Sequence, residues 1–520
     1  MAKRILKPVF KTYAQTQVML LPPSLDELIA ANHPVRIVNT VLDSLDIEPL
    51  LKKYTGGGTS SYHPRMLLKV LIYAYISNIY SSRKIEEACR TNIHFMWLCG
   101  MQTPDHNTIN RFRGERLKEV LHRIFTQVVQ LLAAERLLSL KEVYVDGTKM
   151  ESVANRYTFV WGAAIKTNRE RIAKQLEELW EYAQTVAAEE LDSPEPLDFT
   201  DISPEKVKAT VEKIDAALRE KPEADKKIKE KLSRVKKDWP ENLKRYAAQE
   251  EILNGRNSYS KTDPDATFMR MKDDHMGNGQ LKPGYNIQIT SSNQYVVDYT
   301  IHPNPADTTT LIPHLAQLAA DYGGLPEEIT ADAGYGSEEN YEHLEKAQVA
   351  AYVKYNYFDK DQNEAERNKR PFAQDKLCYD KEHDHFICPT GHVMENIGTE
   401  IRKTTTGFEQ TITLYQVKSC EGCPLRDACH KGEGPRMIAV NHNLNRHKEL
   451  ARDRLTSERG IHHRKKRPVD VEPVFGNIKQ NHGFRRFMLR GKEKVGIETA
   501  LLALAQNLRK KTTQNLKKAA

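Results

Sequence analysis

The chain has 520 residues, of which 39% are hydrophobic and 28% charged, with a formal net charge of +8. That is an ordinary globular composition, long enough for two to four domains with real cores. No run approaches the roughly 18 apolar residues of a membrane span, and MAKRILKPVF has no apolar stretch behind its basic residues, so neither a membrane helix nor a secretory leader is expected.

Residues 1–139 read as an all-helical N-terminal domain. LLKVLIYAYI has helical apolar spacing, and Pro104 and Asp105 mark the start of a further helix. DNA binding through a helix-turn-helix and helical packing or dimerisation fit this pattern equally.

At residue 140 the pattern changes. KEVYVDGTKMES is a strand with Asp146 near its end, followed by Gly147. A charged helical insertion spans about 165–255, read as a hairpin or coiled-coil-like excursion that is solvated and structural. Strands return in GYNIQITSSNQYVVDYTIHP, turning near Ser291–Asn293. Asp307 opens a helix, ITADAGYGS brings Asp332 to a strand end, Ser337 caps the next helix, and VAAYVKYN is another strand. Residues 140–356 thus form the first part of an α/β core.

Residues 357–440 read as a polar, irregular, cysteine-bearing insertion with strand-like pieces in KLCYDKEHDHFIC and GFEQTITLYQV. Residues 441–520 return to helix and complete the core. From Asn441 onward 20 Lys/Arg face 7 Asp/Glu, which suggests a polyanionic partner.

Three antiparallel-type strands followed by helix–strand units are what a ribonuclease H-like α/β core with two insertions would give. Asp146 and Asp332 would meet at one sheet edge, where two strand-borne carboxylates suit Mg²⁺. Glu472, just before Pro473, is a third carboxylate at the start of a helix. With it the site could hold two ions for phosphoryl transfer. Lys479 lies seven residues on, on nearly the same helix face.

Cys388, Cys420, Cys423 and Cys429 form C-P-T-G-H…C-x2-C-P-L-R-D-A-C. They read either as a closed structural Zn²⁺ site or as reduced, packed thiols. His392, His430 and the nearby Cys378 are alternative donors.

VYVDGTKMES, TADAGYGS and VDVEPVFGNIKQNHGFRRFMLRG resemble the three acidic motifs of bacterial insertion-sequence transposases with an Asp-Asp-Glu triad. The chain is most similar to insertion-sequence family 1182, within the broader group with a Tyr-Arg-Glu-Lys signature. TPDHNTINRFR, GYNIQI, ADTTTL, CPTGH, CEGCPLRDAC and GIETALLALAQNLRK extend the resemblance over most of the chain. Glu472 and Lys479 meet the signature spacing, Arg467 stands one position early, and His462 or His463 fills the Tyr position.

The resemblance implies that Asp146, Asp332 and Glu472 bind two Mg²⁺ or Mn²⁺ ions and catalyse DNA cleavage and strand transfer. Arg467, Lys479, Arg485 and Arg486 would contact DNA phosphates. It further implies double-stranded DNA partners (the terminal inverted repeats and a target), a homodimer or larger assembly, and a cytoplasmic, nucleoid-associated location. The competing readings are a DNA-binding protein without catalysis and a nuclease that cuts but does not join.

Overall fold

A computed structural model describes residues 24–54, 61–187, 202–219, 225–271, 279–369 and 371–519, with Leu191, Phe199 and Lys221 between them. It is a mixed α/β protein with a helical N-terminal region. Among the described residues no helix is long and apolar enough to cross a membrane.

Helix α1 (Pro64–Ile76) starts with proline at its first position, and the His63 side chain accepts from the Arg65 N–H at 3.2 Å. Leu67, Leu68 and Val70 through Tyr75 are all buried, so this helix is enclosed on every side. Helix α2 (Leu121–Ala134) packs nearby and leads into the central sheet.

That sheet is built on β1 (Glu142–Glu151), β2 (Leu281–Ser292), β3 (Tyr295–His302), β4 (Glu328–Ala331) and β5 (Ala350–Val353). The spatial order is β3-β2-β1-β4-β5, and a sixth short strand, Thr267–Arg270, pairs antiparallel with the start of β2. β3, β2 and β1 pair antiparallel, while β4 and β5 run parallel to β1. The tight β2–β3 turn puts Asn293 (φ 51°) and Gln294 (φ 61°) in the left-handed region, which suits a two-residue hairpin loop.

Between β1 and β2 lie α3 (Gly162–Val186), α4 (Pro204–Arg219) and α5 (Lys226–Leu253). They are a three-helix bundle rather than a hairpin. Leu176, Trp180, Val211, Ile214, Leu232 and Trp239 belong to a core of their own. A short ladder of Phe159–Trp161 against Ser258–Ser260 closes the neck of this bundle.

Helix α6 (Leu311–Tyr322) joins β3 to β4, and α7 (Glu338–Lys346) joins β4 to β5. Ser337 caps α7, its hydroxyl accepting from the Asn340 N–H at 3.3 Å.

The cysteine-bearing segment is more regular than its polar sequence implies. It holds β6 (Cys378–Asp380), β7 (His385–Ile387), β8 (Val393–Lys403), β9 (Glu409–Val417) and β10 (Met437–Val440) in one antiparallel sheet. Much of β8 is exposed, which hid its alternation from a reading based on apolar runs.

The chain ends in α8 (His442–Thr456), α9 (Glu458–Asp470), α10 (Glu472–Gly476) and α11 (Lys492–Ala519). α11 inserts among the N-terminal helices. Glu498, fully buried, accepts from the Tyr75 hydroxyl at 3.0 Å, and the Arg509 guanidinium donates to the Tyr75 and Ile76 carbonyls at the end of α1. One apolar cluster therefore runs from Ile29 to Leu508, fusing the N-terminal helices to the sheet.

Candidate active site

Strand register brings the two aspartates together. Parallel pairing sets Val145 opposite Ala331, so Asp146 and Asp332 are the next residues on adjacent strands. Neighbouring strands lie about 4.8 Å apart, so their side chains emerge side by side. β4 stops there, whereas β1 continues five residues beyond Asp146.

The helix α9 delivers the rest. It lies along β1 and meets the alternate residues of one strand face. The Arg459 guanidinium reaches Glu142 (2.8 Å), and His463 Nδ1 lies 3.0 Å from the Tyr144 hydroxyl. Arg467 Nη2 lies 3.2 Å from Asp146 Oδ2. Four helical residues rise about 6.0 Å and two strand residues about 6.6 Å. Successive turns of α9 therefore stay in step with every second residue of β1.

Of the two neighbouring histidines, His463 is the one turned to the sheet: it is fully buried between Tyr144 and Glu328, whose Oε2 is 3.0 Å from its Nε2. Burial holds its imidazole below the ordinary histidine range. Burial also pushes Glu142 up, but hydrogen bonds from Lys466 and Tyr144 outweigh it and bring that carboxyl down to about 2.

After a break at Val471, Glu472 opens α10. The Arg467 guanidinium then faces three carboxylates: Asp146 at 3.2 Å, Asp332 at 3.8 Å and Glu472 at 3.7 Å. Arg467 and Asp146 are nearly buried, whereas Asp332 and Glu472 are about half exposed. Arg467 Nε is buried without a hydrogen-bond partner.

Among the described residues, the sets of three or more metal-capable donors within 4.8 Å of one another are His122–Asp298–Asp321 and Asp380–His383–His385. Asp146, Asp332 and Glu472 are not among these sets; what they share is Arg467. An all-oxygen donor set already gathered round one cation fits a hard divalent ion.

Lys479 lies on the Asp146 face of β1 but is almost buried, donating to Thr148 Oγ1 (2.7 Å) and the Lys149 carbonyl (2.9 Å). Arg486 donates to the Ser152 and Ala154 carbonyls (each 3.1 Å), bracing the chain just after β1. Arg485 is exposed and bonds Gln480 at 2.6 Å. Cys388, Cys420, Cys423 and Cys429 lie elsewhere, around a cavity at one end of the β6–β10 sheet.

On the opposite face of β1 lies a polar layer that the sequence reading did not single out. Asp307 Oδ1 accepts from Asn286 (2.7 Å) and Gln288 (3.0 Å), and the Tyr335 hydroxyl donates to Gln288 Oε1. A Cβ on Gly147 would meet Gln288 and Asp307 at 2.6 and 2.7 Å, so this layer requires glycine beside Asp146. Its signal was present in GYNIQI, where Asn286 and Gln288 alternate on one face of an otherwise apolar strand.

A family model described as transposase DDE domain matches residues 387–512, which include Arg467 and Glu472. A second, described as transposase domain (DUF772), matches residues 23–115. The chain thus carries a transposase DDE domain, the domain of enzymes that cut and join DNA, and a second transposase domain nearer its N-terminus. No curated protein matches. A solved structure titled as the piggyBac transposase synaptic complex with hairpin DNA aligns with 88% of this chain and 77% of its own. Its identity is 10% and its TM-score 0.25.

Proposed function

We propose that Asp146, Asp332 and Glu472 are the catalytic triad of this transposase, seated on a ribonuclease H-like core. The observation that carries this reading is their convergence on Arg467 from β1, from the end of β4 and from the start of α10. The strand order β3-β2-β1-β4-β5, three antiparallel and two parallel, supports the core assignment.

Divalent cations, Mg²⁺ or Mn²⁺, held by these carboxylates would supply electrostatic stabilisation of a phosphodiester under attack and lower the pKa of a bound water. The protein's own groups do the rest. β1 and β4 fix two carboxylates in register, and Pro473 at the start of α10 sets where the third one emerges. Arg467, once the carboxylates have another counter-charge, is the guanidinium nearest a bound phosphate.

The substrate on this reading is double-stranded DNA bearing the terminal inverted repeats of an insertion sequence of the 1182 type. Hydrolysis at the element's end is followed by attack of the freed 3′-hydroxyl on target DNA. A homodimer or larger assembly on paired ends, and a cytoplasmic, nucleoid-associated place, belong to the same reading.

A labelled duplex ending in the element's inverted repeat, incubated with the protein and Mg²⁺, tests it. Cleavage and strand transfer are expected from the native chain. Asp146→Asn and Glu472→Gln should lower both by more than about a hundredfold, since outer-shell losses alone cost about 10–100-fold. Undiminished cleavage in either variant would overturn the triad.

A further inference from the structure

We infer that Cys388, Cys420, Cys423 and Cys429 hold one structural zinc ion that clasps the two loop ends of the β6–β10 sheet.

The topology brings the four together. β7 pairs antiparallel with β8, and β8 with β9, so β7 and β9 run the same way and end on the same side. Cys388 directly follows β7, and Cys420 follows β9 by three residues. All four cysteines line one cavity of about 660 Å³, together with His392 and Arg436.

The loops are shaped to present sulfur. In the first, the Cys388 N–H donates to the His392 carbonyl at 2.8 Å, and the Gly391 N–H donates to the Cys388 carbonyl at 2.9 Å. Gly391, at φ +87°, makes this tight return, and it aims the His392 N–H at Cys388 Sγ, 3.3 Å away. In the second, Gly422 at φ +68° turns the chain between Cys420 and Cys423. The Arg436 N–H donates to Cys420 Sγ at 3.3 Å. Backbone N–H groups directed at sulfur stabilise thiolate over thiol, which is the form a metal takes up.

The alternative, reduced thiols packed as small hydrophobes, has its example in the same chain. Cys89 and Cys99 are 1% and 2% exposed within the N-terminal helices. The four module cysteines are instead all partly exposed around open space. The module also needs more than its own core. Six residues, Phe386, Met394, Tyr415, Val417, Ile438 and Val440, make up its buried apolar cluster. A core of that size is where a metal commonly supplies folding free energy.

Among the described residues no three of these sulfurs lie within 4.8 Å of one another. Zn–S bonds of about 2.3 Å in a tetrahedron bring sulfurs to roughly 3.8 Å, so binding draws the 420–429 loop onto Cys388. Each thiol yields its proton to solvent as it ligates. Arg436, nearly buried with Nη1 2.7 Å from Cys429 Sγ, then offsets the net negative charge of a four-thiolate zinc site.

The test is elemental analysis of the full-length protein purified without chelator, which needs no DNA and is independent of the triad. About one equivalent of zinc per chain is expected. Cys423→Ser and Cys429→Ser should lose most of it, while Cys378→Ser and Cys89→Ala keep it. Where a serine variant fails to fold, Co²⁺ substituted into the native chain gives a second reading, through thiolate-to-cobalt absorption typical of a tetrahedral site. Absence of zinc, with all four thiols reacting as fast as in the unfolded chain, would overturn the site. Retention in Cys388→Ser with loss in His392→Ala would overturn the four-cysteine ligand set.

Discussion

Arg467 Nη2 lies 3.2 Å from Asp146 Oδ2, and the same guanidinium is within 4 Å of Asp332 and Glu472. One positive charge thus compensates three carboxylates in the absence of a divalent ion. Arg467→Gln keeps much of the stem but removes that charge. The folded protein should lose about 1–3 kcal/mol in chelating buffer, less than for a fully buried pair because two of the carboxylates are half exposed. Mn²⁺ should restore more stability to the variant than to the native chain, read as the shift in melting temperature. Equal Mn²⁺ responses would mean that the guanidinium does not stand in for the ion.

Lys479 separates two views of the same residue. As a phosphate contact its loss would weaken DNA binding and leave the fold alone. The geometry makes it a brace between the turn after α10 and β1, through Thr148 Oγ1 and the Lys149 carbonyl. Lys479→Met retains the aliphatic stem and leaves those acceptors without this donor. A stability loss of about 1–3 kcal/mol is expected in urea unfolding without DNA. An unchanged unfolding midpoint would return Lys479 to the phosphates.

The candidate triad was legible because its residues follow local rules: an apolar strand, an acid, then glycine, and a glutamate just before a helix-initiating proline. The counter-ion arrangement was not. It depends on α9 lying in step with β1, a match of helical and strand rise between segments more than 300 residues apart. Arg486 reads as a contact to DNA phosphates, and nothing in RRF announces that the carbonyls just after β1 also receive it. Strand β8 was hidden for a different reason: most of its residues are exposed, so it carries no apolar alternation to read.

Gly147 and Gly476 make a matched pair of tests. An added Cβ at Gly147 would lie 2.6 Å from Gln288 Nε2 and 2.7 Å from Asp307 Oδ1, within a hydrogen-bonded layer. Gly147→Ala should destabilise by about 1–3 kcal/mol, as overpacking does, and should lower cleavage by shifting Asp146. Gly476 ends α10 with open space where its Cβ would go. Gly476→Ala should stabilise by about 0.5–1 kcal/mol, the helical difference between the two residues. Thermal melts of both variants check the contrast, and a neutral Gly147→Ala would remove the polar layer from the account of Asp146.

Asp298 gives the fold a pH dependence of definite sign. It is fully buried on β3, where Oδ1 accepts from the Tyr299 N–H at 2.7 Å and from Gln317 at 3.2 Å, while Oδ2 has no hydrogen-bond partner. Burial first, and then the neighbouring Asp321, push its carboxyl up to about 7, against the opposing charge of His122. An unfolded aspartate titrates near 3.9, so from about pH 4 to pH 7 the folded chain keeps a proton that the unfolded chain has released. Stability therefore falls as pH rises through that window. His122 acts in the same direction: burial lowers it, but its hydrogen bond and charge interaction with Asp321 outweigh burial and raise it. Its contribution is complete below the unfolded histidine value and fades as pH passes the folded one. Asp298→Asn keeps the shape and removes the titration. The variant should gain about 1–3 kcal/mol over the native chain at pH 8 and little at pH 4, measured by urea unfolding at both. An equal effect at the two pH values, or a loss at pH 8, would show that Asp298 is ionised in the fold at no cost.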